Sequence, residues 1–195
     1  MGNSDETKAR ILSAALEEFA AKGLAGTRVD EIARVAGVNK AMIYYYFASK
    51  EDLFNELFRT EMEQLKIELG DLSKRNPTSR EDIIAATQEF LEYIESKKKL
   101  LKVLMASAIL QEELQAQLFQ LLDLTTANGL EVAEKAGRTV PPLNGDELLH
   151  ELFTGLLPFI HFILLRDGLE AYYHWDKQQL TDQFIAGWLS QHGGY

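Results

Sequence analysis

Apolar residues recur along this chain at three- and four-residue spacing, and no stretch alternates with the two-residue period of a half-buried strand. Ile11, Leu12, Ala15, Leu16 and Phe19 form a first helical stripe, which Gly23 closes. A second stripe, Val29, Ile32, Ala33 and Ala36, opens at Thr27, whose hydroxyl is placed to cap free N–H groups with Asp30 as a capping-box-like partner. Gly37 and Val38 make the turn that follows, glycine for its tolerance of a left-handed backbone and valine as a plug between two helices. Asn39 caps a short helix on which Ile43 and Phe47 face inward, leaving Ala41, Met42, Tyr44 and Tyr45 outward and Lys40 near the N-terminus. Ser49, with Asp52 three positions on, starts the next helix. Leu53, Phe54, Leu57, Phe58, Met62, Leu65 and Leu69 continue it as one long rod with no flexible linker.

After a break at KRNPTSR, residues 74–80, stripes return at Ile83 to Ile94, Leu100 to Ile109 and Leu114 to Thr125. A loop around Gly137 to Asp146, with Pro141, Pro142 and Gly145, separates these from two final helices. The first, Leu148 to Leu165, is apolar on nearly all sides and must be covered on both. The second carries Leu180, Phe184, Ile185, Trp188 and Leu189. The pattern predicts an all-α chain without repeats or low-complexity segments. Two such helices from each of two chains would build a four-helix bundle with a self-complementary twofold interface, for which Leu152, Leu156, Phe159, Ile163, Leu180, Phe184 and Trp188 are the candidates.

Two short helices meeting across a glycine turn, with groove-capable residues outward on the second, are how an all-helical chain presents a helix to DNA. Three segments, TKARILSAALEEFAAKGLAGT, DEIARVAGVNKAMIYYYF and SKEDLF, follow one another within residues 7–54. In them the chain resembles the N-terminal DNA-binding domain of the tetracycline-repressor (TetR) family of transcriptional regulators. The resemblance implies a three-helix DNA-binding domain with a helix-turn-helix at residues 1–50, then a larger helical effector-binding and dimerisation domain at residues 51–195. It also implies a homodimer on a palindromic operator of double-stranded DNA, with reading helices one helical turn apart, and release by a small-molecule effector.

Tyr44 and Lys50 stand where family members touch phosphates, and Lys40 where a side chain reaches a phosphate or a guanine edge. Thr27 and Arg28 are placed to hold the opposite backbone. Ala41, Met42 and Tyr45 are the candidates for base contacts beside the capping Asn39. Tyr45 and Tyr46 occupy positions where the family often has arginine and histidine, a change that bears on the operator; Tyr46 is expected to pack inside. An effector cavity is expected among Phe58, Met62, Leu65, Phe90, Tyr93, Met105, Ile109, Phe119, Leu122, Phe153 and His161. The absence of a charged cluster among them favours an apolar or aromatic ligand.

Charge qualifies this reading. The net charge is −10, yet residues 1–50 hold seven basic residues against six acidic ones, so the acidity lies in the remainder. Operator affinity is therefore expected to be modest and steeply dependent on salt. Cysteine is absent, which removes disulfides, thiol catalysis and thiolate metal sites. The N-terminus lacks the apolar run of a secretory signal, and the run Leu152 to Leu165, interrupted by Pro158 and His161, falls short of the about 20 residues that span a bilayer. The expectation is a cytoplasmic protein without a membrane partner.

A different class of function rests on Glu147-Leu-Leu-His150, which has the Glu-x-x-His spacing of di-metal helical bundles. No other histidine has a glutamate three positions before it, so a metal oxidase would need a second copy of the chain. Nucleophilic triads and phosphate-cradling glycine loops have no support, and no cofactor, metal or enzymatic activity is expected. A third reading is a dimeric interaction protein without operator binding; Lys40, Tyr44 and Lys50 argue against it.

Overall fold

A computed structural model describes residues 3–72, 74, 77–135, 137 and 145–192, and among them there is helix and no strand. In chain order the helices are α1 (Asn3–Gly26), α2 (Val29–Ala36), α3 (Lys40–Tyr46), α4 (Lys50–Leu72), α5 (Arg80–Ser96), α6 (Lys98–Leu110), α7 (Glu112–Lys135) and α8 (Gly145–Glu151). A π-helical turn, Leu152–Leu156, joins α8 to α9 (Leu157–Tyr173), and α10 is Lys177–His192. Most of the Gly137–Asp146 loop lies outside the described residues.

Local chemistry fixes these boundaries. Within α1, Gly23 has φ 71° and ψ 169°, so the helix breaks there and one further turn carries it to Gly26. Ser79 caps α5 by accepting the Asp82 N–H at 3.1 Å, while the Asp82 carboxylate takes the Ser79 N–H at 3.0 Å, a complete capping box. At the π turn the Leu157 N–H reaches back five residues to the Leu152 carbonyl. Pro158, which has no N–H to give, follows immediately.

Two compact units emerge, each built from separated stretches: Met1–Leu65 with Lys99–Leu118, and Lys66–Lys98 with Phe119–Tyr195. The expected domain boundary at residue 50 cuts across the first. That unit is centred on Ile11, Ala15, Phe19, Ile32, Ile43, Leu53, Phe54 and Leu57, all buried, with Phe19 edge-on to Phe54 at 5.3 Å. In the second unit, Phe159 sits among Phe90, Phe184 and Trp188 with ring centroids 4.9 to 5.4 Å away, which packs α9 against α5 and α10. The Trp188 indole N–H donates to the Gly155 carbonyl in the π turn at 3.0 Å. Arg166, only 6% exposed, closes the same junction through Glu95 at 2.8 Å and the Thr181 hydroxyl at 3.3 Å.

This packing engages the expected dimer contacts within one chain. Leu152, Leu156, Phe159, Ile163 and Leu180 are buried within one chain, and Phe184 and Trp188 are half-buried against Phe159. The helix is apolar on both sides, and the side carrying Phe159 packs against α5 and α10. The outward side shows Leu149 at 53% exposure, Phe153 at 64% and Leu165 at 58%. By length and composition, the helical stretch Gly145–Tyr173 also exceeds the expected apolar run and is long and apolar enough to cross a bilayer, yet only a third of its most apolar window is buried within the chain.

Candidate nucleic-acid interface

The turn between α2 and α3 is built as the residues require. Gly37 adopts φ 67° and ψ 35°; its N–H donates to the Arg34 carbonyl at 3.3 Å and the Val38 N–H to the Ala33 carbonyl at 3.0 Å, the paired bonds of a Schellman end. Asn39 then caps α3 by accepting the Met42 N–H at 2.8 Å. With Ile43 and Phe47 buried, the angle and roll of α3 are set, and Ala41, Met42, Tyr44 and Tyr45 stand outward, Tyr45 at 79% exposure. Tyr46 turns back toward α1, its hydroxyl donating to the Ser4 carbonyl at 3.2 Å. This tyrosine is half-buried.

Lys40 is the sole cation on α3, and its ammonium lies 3.0 Å from the Asp30 carboxylate across the turn. That hydrogen bond, with the carboxylate's charge, raises the Lys40 pKa above the ordinary lysine value. Glu31 is held below the usual carboxylate range first by the Lys22 ammonium, at 3.1 Å, and it also takes the Arg28 N–H at the start of α2. Lys40 and Lys22 are thus each matched to an acid beside the turn.

Two expected contact residues, Thr27 and Lys50, bond to backbone carbonyls within the chain. Thr27 does not cap α2: the capping position is Arg28, whose side chain makes no capping bond. The Thr27 hydroxyl is buried and shared between the Gly23 carbonyl at 2.8 Å and the Glu18 carbonyl at 3.0 Å. Lys50, at the first position of α4, directs its ammonium to the Leu24 carbonyl at 2.7 Å and the Thr27 carbonyl at 3.1 Å. Two of its three donors are spent inside the protein. Arg28 remains an exposed guanidinium at the N-terminus of α2.

The effector candidates divide between the units. Phe58, Met62 and Leu65 are buried on α4 and Met105 is half-buried on α6, all in the first unit; Phe90, Tyr93 and the buried Leu122 belong to the second. The Ile109 side chain lies outside the described residues. Phe119, Phe153 and His161 are exposed on this chain. His161 donates from Nδ1 to the Leu157 carbonyl of its own helix at 2.8 Å, so within this chain it is not a core histidine.

Sequence reading missed a polar group in the second unit. Glu68 on α4 pairs with Lys97 at 2.7 Å, and the Lys97 ammonium stands 5.7 Å from the Tyr93 ring centroid. Burial, then the neighbouring Glu68 carboxylate, pushes the Tyr93 phenol well above its ordinary value. Arg166 was missed too, although an arginine closing a long apolar run was itself a signal of a buried pair. Glu147 and His150 lie on α8 with His150 exposed, and among the described residues no three His, Asp or Glu side chains converge on a metal-sized site.

Residues 11–57 match the family model described as bacterial regulatory proteins, tetR family. The chain is similar to an HTH-type transcriptional repressor of Streptomyces coelicolor, 37% identical over 51% of this chain and 48% of that protein. Similarity to the uncharacterized HTH-type transcriptional regulator YhgD of Bacillus subtilis is lower, 24%, but covers 95% of this chain and 94% of the relative. Among solved structures, the Bacillus subtilis regulator FadR in complex with stearoyl-CoA superposes with a TM-score of 0.66 at 20% identity, covering 93% of this chain and 97% of that one. The chain thus spans about half the length of the Streptomyces relative, whereas its likeness in fold extends over nearly all of its residues.

Proposed function

We propose that this chain, a member of the TetR family of bacterial regulatory proteins, is a homodimeric transcriptional repressor that reads a palindromic operator and leaves it on binding a small apolar or aromatic effector. The observation that carries this reading is α3. Its inward face and both of its ends are satisfied, while Met42, Tyr44 and Tyr45 are held outward at 37%, 48% and 79% exposure. Tyr44 and Lys40 position the helix on phosphates, and Ala41, Met42 and Tyr45 face base edges, the first two suited to thymine methyl groups.

The exposed side of α8 and α9, at Leu149, Phe153 and Leu165, supports a second copy of the chain as its cover. A twofold dimer would set two reading helices about 34 to 36 Å apart, the spacing of successive major grooves. For release, α4 is the connecting lever, since it runs unbroken from Lys50 to Leu72. An effector that fits better with α4 displaced at Met62 and Leu65 would respace the reading helices. A coupling of about 1 to 3 kcal/mol changes operator affinity about 5- to 150-fold. Such a protein works in the cytoplasm, where the DNA is.

The test is binding of the purified chain to its own upstream DNA and to a randomised DNA pool at two salt concentrations, beside a Lys40→Ala, Tyr44→Phe double variant. Specific, salt-sensitive binding that the variant loses is expected. No specific binding at low salt would move the reading to an interaction module, and tighter operator binding in the presence of effector would reverse the regulatory sign.

A further inference from the structure

We propose that Lys50 is a positioning residue, an ammonium latch that fastens the first turn of α4 to the end of α1 so that the whole DNA-binding unit follows α4 as one body. The proposal rests on the operator-binding reading above for its biological meaning, but its geometry stands independently. The helical ladder of α1 is interrupted at Gly23, and Leu24 lies just beyond that break, where a carbonyl oxygen needs a donor from elsewhere. Thr27 lies between α1 and α2 and has the same need. Lys50 meets both carbonyls, at 2.7 and 3.1 Å, from 26 and 23 residues away in sequence.

An ammonium is the apt donor here. It offers several N–H groups from one atom, its charge strengthens each bond, and the C-terminal end of α1 presents partial negative charge. The Thr27 hydroxyl completes the knot on the Gly23 and Glu18 carbonyls. Two side chains therefore bind four carbonyls around the end of α1. The other side of the latch is equally fixed: Ser49 caps α4 through the Asp52 N–H at 3.0 Å, and the Asp52 carboxylate takes the Ala48 N–H at 2.8 Å. Farther along, Lys8 on α1 pairs with Glu56 on α4 at 2.6 Å, so the two helices are tied at two levels. Displacement of α4 must then carry α1 and the start of α2 with it, and α3 through them.

Lys50→Met keeps the length and removes the donors. Its binding to an operator recovered from the randomised pool is compared with wild type across salt, and across operators whose half-sites are moved apart or together by one base pair. A lysine on a phosphate contributes about 0.9 to the slope of log affinity against log salt. For a latch, that slope stays at the wild-type value while discrimination between spacings falls at least about fivefold, the low end of ordinary coupling between sites. Thr27→Val, which leaves charge unchanged, reproduces the loss of discrimination, and Lys50→Arg, which restores donors, rescues it. A slope lower by about one with spacing preference intact overturns the proposal, as does no change in either. Circular dichroism and a thermal melt establish that the variants fold. Should the wild type bind no DNA specifically, the function reading fails while hydrogen exchange at the first turn of α4 still decides the latch: faster in Lys50→Met supports it, unchanged exchange overturns it.

Discussion

Both α3 and the α8–α9 stretch leave large side chains in water, but of different kinds. On α3 they are Met42, Tyr44 and Tyr45, two of them with hydroxyls, on a helix whose other face is anchored by Ile43 and Phe47. On α8, the π turn and α9 they are Leu149, Phe153 and Leu165, with no polar handle, on a helix already buried along its opposite side. A tyrosine rests comfortably in water and can turn to a wet, polar, charged partner such as DNA. A row of leucine and phenylalanine gains only from a dry one. On the proposed function, the same degree of exposure therefore serves transient reading in one place and lasting assembly in the other.

The sharpest way to break this comparison is to charge the apolar row. Phe153→Asp with Leu165→Asp leaves the inner core untouched and is expected to give a folded monomer by sedimentation. Operator affinity should fall by about 10² to 10⁴, the usual worth of joining two weak readers. A variant that remains dimeric would remove this stripe from the interface. Leu156→Asp is the contrasting change: Leu156 is buried within the chain, so the fold itself should fail.

A smaller effect is expected where the reading helix meets its own acid. Asp30 holds Lys40 at 3.0 Å, a pair that a phosphate must break or share. Asp30→Asn frees the ammonium and removes a negative charge from the DNA side. Binding to operator and to unrelated DNA should tighten alike by about two- to fivefold, as suits an exposed pair. If affinity instead changes for only one base pair of the operator, Asp30 reads sequence and is no mere counter-charge.

The two regions also differ in how far the sequence discloses them. Around α2 and α3 each position has one local solution: glycine at the left-handed Gly37, an acceptor at Asn39, and apolar residues on one face at Val29, Ile32, Ala33 and Ile43. Periodicity and capping therefore reach the observed geometry. The roles of Thr27 and Lys50 were hidden because their partners are backbone carbonyls, which no side-chain pattern reports. Around α9 periodicity is satisfied twice, once by Leu152, Leu156, Phe159 and Ile163 and once by Leu149, Phe153 and Leu165, and only packing against α5 and α10 decides which set turns inward. The Glu68–Lys97 pair and the Glu95–Arg166 pair join residues distant in sequence. Such pairing depends on tertiary placement, which spacing along one helix does not encode.

The smallest expected effect falls away from both surfaces, at the cap of α5. Ser79→Ala removes one bond of the capping box and should lower stability by about 1 kcal/mol, within the usual 0.5 to 2, with operator affinity per folded molecule unchanged. In a domain of this size that is a fall of about 2 to 4 °C in melting temperature. Its partner Asp82 adds a pH signature. The Thr78 N–H, the Thr78 hydroxyl and Ser79 hold the Asp82 carboxyl below its ordinary value. A depressed carboxylate contributes stability that is fully present above its unfolded pKa, about 4, and is lost as pH falls through the lower folded value. Melting curves from pH 7 to about pH 3 should therefore show the gap between wild type and Asp82→Asn narrowing with acid. The gap between wild type and Ser79→Ala should narrow less, because the main donors to Asp82 are on Thr78. A gap for Asp82→Asn that is as wide at pH 3 as at pH 7 would mean that the residue acts through packing rather than through its charge.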